Sequence, residues 1–142
     1  MDIVVNLLIW AHIMAFVAGG ANSVVGPVIA SRLPGATADA RDGYYAVMNR
    51  LAQVGKGAMG VLLISGPLIL WLKYGGLGGA SIWFWIKMAL VVVMLAAIIY
   101  GGINFKKAQA GDSAAGARAE MAHKVTGLAF AGVILAAVFA FA

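Results

Sequence analysis

Cysteine is absent from this 142-residue chain, which excludes disulfides, thiolate metal sites, iron–sulfur clusters and cysteine nucleophiles. Charge is scarce too: 11% of the residues are charged and 63% are hydrophobic, a balance that a soluble domain of this size has trouble hiding and that reads as one membrane domain, 1 to 142. Only five carboxylates occur, Asp2, Asp39, Asp42, Asp112 and Glu120. None lies deep in an apolar run, so a carboxylate-lined cation or proton path, an aspartyl membrane protease and a di-iron centre lack evident ligands. No serine and histidine stand out at matching depths with an orienting acid, which argues against hydrolysis. The ten Lys and Arg give a net charge of +5, but they are spread along the chain and flank apolar runs. Membrane topology explains them better than nucleic-acid binding does.

Four apolar runs are present, at about 3 to 30, 54 to 72, 81 to 103 and 122 to 142. Each matches a helix crossing a hydrocarbon core of about 30 Å, and an open sheet would leave its edge groups unsatisfied in lipid. The expected fold is an all-α integral membrane protein, a four-transmembrane-helix up-and-down bundle. Asp2 replaces the positive start of a signal peptide and the first run is too long for one, so it reads as a retained span. Arg32, Arg41, Arg50 and Lys56 gather around the first connection, Lys106, Lys107, Arg118 and Lys124 around the third, and only Lys73 and Lys87 around the second. Eight basic residues against two put the first and third connections in the cytoplasm and both termini outside.

The connections themselves carry little chemistry. Pro34-Gly35 signals a turn, and the stretch from Thr37 to Arg50 reads either as a short interfacial helix or as an extension of the second span. The glycines at 75, 76, 78 and 79 make a tight turn without the Lys-Ser/Thr ending of a phosphate loop. Trp71, Trp83 and Trp85 beside it form an aromatic belt, and the third connection is a polar turn with Ser113 as a helix cap.

Polar groups inside the runs are the functional candidates. His12 shares a helical face with Ala15, Gly19, Ser23 and Gly26, so the imidazole sits on a small-residue face suited to close helix packing. Such a ring either hydrogen-bonds a neighbouring helix, ligates haem iron or copper, or relays protons between a quinone and water. His123 opens the fourth run and either meets the headgroups, contacts a haem propionate or binds a separate group; its depth differs from that of His12, so one haem held by both is not expected. Lys87 either snorkels to the outer interface or supplies a buried positive charge to an acidic substrate or haem carboxylate. Arg50, Lys56 and Lys124 can serve an anionic cofactor at the cytoplasmic side or simply mark that side. Asn22, Asn49 and Asn104 are candidates for bonds between helices. Met48, Met59, Met88, Met94 and Met121 read as packing residues that are also soft donors. Gly57 and Gly60 should allow close approach of another helix, and Gly66-Pro67 should loosen or kink the second span.

Taken together, LLIWAHIMAFVAGGANSVVGPVIASRL in the first run, VMNRLAQVGKGAMG at the second and WFWIKMALVVVMLAAIIYGG in the third resemble the HemJ-like protoporphyrinogen oxidase family and the related CopD-like small bacterial membrane proteins. His12 corresponds to the family's proposed haem-binding histidine, Arg50 to its basic residue at the second helix and Lys87 to the lysine of its third. The chain departs from the family at Ile98-Ile99-Tyr100-Gly101-Gly102, where a histidine followed by glycine is usual, and in a sparser basic loop after it. The resemblance implies haem b at His12, catalytic roles for Lys87 and Arg50, and porphyrin or electron-transfer chemistry in a bacterial inner membrane. The expected function is a haem-binding redox protein, His12 also being the metal ligand, with His123 and Lys124 near the cofactor. The alternatives are a non-catalytic subunit that assembles with itself or a larger membrane complex, and copper or small-solute transport.

Overall fold

The computed structural model describes residues 2–141. Four α-helices account for nearly all of them: α1 (Asp2–Ala30), α2 (Ala38–Tyr74), α3 (Ile82–Gln109) and α4 (Ser113–Phe141), with a single 3₁₀ turn at Leu77–Gly79. No strand occurs among the described residues. Each helix is long and apolar enough to cross a membrane, so the all-helical, multi-pass expectation holds. The chain forms two compact units, one built on α1 and α2 and the other on α3 and α4, and each is a hairpin of antiparallel neighbours.

In the first hairpin the contact seam follows steps of three and four residues. His12 meets Ser65 and Gly66, Gly19 faces Ala58, and Asn22 faces Gly55. Ala15, Gly26, Ala58 and Ser65 are its buried positions. Small residues on both sides let the backbones approach without displacing large side chains, the usual basis of helix association in lipid. Gly55 shows how close they come, because a Cβ added there would lie 3.1 Å from Asn22 Nδ2. Gly57 and Gly60 do not take part: nothing lies within 4 Å of a Cβ at either. The approach expected of them is made by Gly55 and Ala58 instead, because the seam turns on the face one and two residues away.

In this register Ala30 comes level with Val47, and α2 runs on past the end of α1. The stretch 38–50 is thus a direct extension of the second span, which settles the two readings open for it. Thr37 starts the helix by accepting from Ala40 N at 3.4 Å, and Gly75, in the left-handed conformation at φ 70°, ends it.

The second hairpin is organised by an alanine every seventh residue. Ala115, Ala122, Ala129 and Ala136, with Val133, are the buried apolar positions of α4, and α3 contributes Phe84, Met94 and Asn104. A seven-residue repeat is the pattern of long helices that stay in contact by left-handed packing. The helices come close at Gly101, where a Cβ would stand 3.0 Å from that of Ala122, and at Gly132, where one would stand 3.0 Å from Leu90 Cδ1. At the open end of the hairpin Trp83 stacks on Phe139 with ring centroids 4.8 Å apart.

The third connection is shorter than the polar turn read from the sequence. α3 continues through Lys106 and Lys107 to Gln109, and only Ala110, Gly111 and Asp112 separate it from α4. The cap is not Ser113, which is already helical, but Asp112, whose Oδ1 accepts from Ala115 N at 3.1 Å. A carboxylate there also suits the positive end of the α4 dipole.

Candidate functional site

His12 lies ten residues into α1, about 15 Å along it, and is half-buried on the face turned to α2. Its Nδ1 stands 2.8 Å from Ser65 Oγ. Ser65 is 3% exposed, and its hydroxyl donates to the Val61 carbonyl at 2.6 Å. A hydroxyl carries one hydrogen, and with that hydrogen on Val61 O the Ser65 oxygen can only accept from the ring. Neutral His12 is therefore the Nδ1–H tautomer, with its lone pair on Nε2. Gly66 completes the seat: a Cβ there would stand 3.5 Å from His12 Cε1.

Serine and histidine thus meet at matching depth, which the sequence did not reveal. Ser65 was not among the candidates, although it is the sole hydroxyl between Val54 and Leu72. The pair is not a nucleophile and base. The serine hydrogen points to Val61 O rather than to the ring, the oxygen is enclosed, and no carboxylate belongs to the first hairpin's apolar seam. What the arrangement does is hold an imidazole in one tautomer and one orientation, as hydrogen-bonded second groups do for ligating histidines.

The other candidates lie apart from this pair. Arg50 is on α2, 15 residues before Ser65, about 22 Å along the helix, and is exposed. Lys87 is half-buried in α3 near the Trp83–Phe139 stack. His123 lies toward the opposite end of that hairpin, beside the Gly101–Ala122 contact, and its Nε2 is enclosed with no hydrogen-bond partner among the described residues. Enclosure of that nitrogen is at odds with a headgroup contact through it. Lys124 is exposed and occupied by Glu120, at 2.8 Å. Among the described residues no group of three or more His, Cys, Asp or Glu could hold a metal ion, so any metal chemistry at His12 must use a site with few protein donors.

Two asparagines do what their positions suggested. Asn22 Nδ2 donates to Leu51 O at 3.4 Å across the first hairpin. Asn104, 4% exposed, donates to Tyr100 O at 2.9 Å and accepts from Arg118 Nε at 2.8 Å. Arg118 also reaches Asp112 Oδ2 at 3.4 Å. These bonds clamp the end of α3 to the start of α4, and they give Arg118 a structural task.

Comparison with protein-family models, with characterised proteins and with solved structures finds no match for this chain.

Proposed function

We propose that this chain is a multi-pass protein of a bacterial inner membrane that binds haem b through His12 and takes part in electron transfer or porphyrinogen oxidation. The reading rests on one observation, the bond from His12 Nδ1 to a serine oxygen whose own hydrogen is committed to Val61. A neutral imidazole with its lone pair on Nε2 and its other nitrogen fixed is the donor that haem iron takes. The chemistry of the single strong donor fits a haem, which asks for one or two axial ligands, better than it fits an ion that needs three or four protein groups. Bound haem would supply one-electron chemistry; Ser65 would orient the ligand, and the apolar seam would keep water from it. Electrons would pass to or from a quinone or a porphyrin. The basic residues assign the first and third connections to the cytoplasm and both termini to the outside.

The deciding measurement is the oxidised and dithionite-reduced absorption spectrum of gently purified protein, with haem counted per chain. A stoichiometric Soret band that His12→Ala abolishes is the expected result. Full haem content and an unchanged spectrum in that variant would overturn the assignment.

A second reading, a non-catalytic subunit or assembly factor, is favoured by Met121, Leu128 and Leu135, which recur every seven residues on an exposed face of α4 and suit a partner helix. It predicts no chromophore and a stoichiometric partner, or a second copy, in mild detergent.

A further inference from the structure

One face of α2 carries a groove that the first hairpin leaves open. It is a shallow depression of about 330 Å³ lined by Ala46, Val47, Arg50, Leu51 and Val54. Apart from the guanidinium its walls are apolar. Gly43 and Gly57 continue the same face at either end, and nothing lies within 4 Å of a Cβ on either, so the groove runs on along the helix in both directions. Arg50 has no ion pair or hydrogen-bond partner among the described residues.

The depth of this cation follows from the helix itself. Trp71, 76% exposed, stands 21 residues beyond Arg50, about 32 Å along α2. One hydrocarbon core is about 30 Å thick. With Trp71 at one membrane interface, as exposed tryptophans prefer, Arg50 falls at the opposite headgroup boundary. Leu51, Val54 and the gap over Gly57 then extend from it into the hydrocarbon.

We propose that this groove seats one anionic phospholipid. Its phosphate is held by the Arg50 guanidinium, whose fork of donors matches phosphate oxygens. One acyl chain lies over Leu51 and Val54 and passes through the space that Gly57 leaves. Preference for a net negative headgroup follows from the surrounding charges. Lys56, also exposed, lies six residues toward the hydrocarbon, about 9 Å along the helix, and its long stem can carry the ammonium back toward the same boundary. The carboxylates nearest along α2, Asp42 and Asp39, are eight and eleven residues away toward the helix start, about 12 and 16 Å along it, too far to pair the ammonium of a zwitterionic lipid held at Arg50. The proposal is independent of His12 and of haem.

The test is native mass spectrometry of the delipidated full chain in non-ionic detergent, titrated with phosphatidylglycerol and with phosphatidylcholine of the same acyl chains. Wild-type protein should retain one phosphatidylglycerol per chain with a preference of about fivefold over phosphatidylcholine. Arg50→Gln should erase the preference, and Gly57→Leu should weaken retention of both lipids by filling the chain path. Arg41→Gln, which removes a charge from the far side of the helix, should leave the preference intact. Equal retention of the two lipids by wild type, an undiminished preference in Arg50→Gln, or its loss in Arg41→Gln would overturn the proposal.

Discussion

Two side chains, Ser65 and Arg118, show how a membrane hairpin makes a polar group useful. Ser65 is small enough for the seam and satisfies its own hydrogen on Val61, which frees its oxygen to fix His12. Replacing it by alanine removes the group that orients the imidazole. Haem affinity should fall by about 10- to 100-fold while the hairpin, which loses one bond of about 1 kcal/mol, stays folded; a haem titration of Ser65→Ala checks this. Arg118 is a different case, because its partner Asn104 is buried. Arg118→Ala leaves the Asn104 oxygen enclosed and unpaired, which costs about 1–3 kcal/mol, and thermal unfolding in detergent should record the loss. Its ion pair with Asp112 adds little, both side chains being nearly half exposed. Asn22, Asn104 and His12 were legible as polar groups on helices. Ser65 was not, since a lone serine in an apolar run is compatible with any face.

At the scale of the helix, glycine has opposite meanings in the two hairpins. Gly101 stands at a close approach of α3 and α4, against Ala122, and a leucine there must push the helices apart. Gly60 faces open space, and the same substitution has nothing to displace. Gly101→Leu should destabilise the second hairpin by about 1–3 kcal/mol, whereas Gly60→Leu should stay within about 0.5 kcal/mol of wild type, both read from unfolding in detergent. The sequence contained a clear sign of the α4 face, its alanine at every seventh position from Ala115 to Ala136. It contained no equal sign for Gly57 and Gly60. Their spacing is that of a packing face, and only the neighbouring helix reveals that α2 turns Gly55 and Ala58 inward instead.

For the whole molecule the testable property is its topology. A topology in which each of the four helices crosses once puts the connections 31–37 and 110–112 on one side of the membrane and the glycine turn at 75–81 on the other. The natural absence of cysteine makes single-cysteine variants clean probes. In intact cells, Ala36→Cys and Ala110→Cys should resist a membrane-impermeant maleimide until the membrane is opened, and Gly78→Cys should react at once. The reverse pattern would invert the orientation read from the basic residues without disturbing either hairpin.

Composition and run length alone determined that the chain forms four helices long and apolar enough to cross a membrane, because transfer of each apolar run out of water is a local property, summed residue by residue. They also determined which polar residues would need partners. The identity of those partners was decided only by tertiary structure. Antiparallel register depends on small side chains fitting across a whole seam at once, so it is set by residues about 50 positions apart in the chain, as His12 and Ser65 are. That register brought a serine to the histidine, an arginine to the buried asparagine and open space to Arg50.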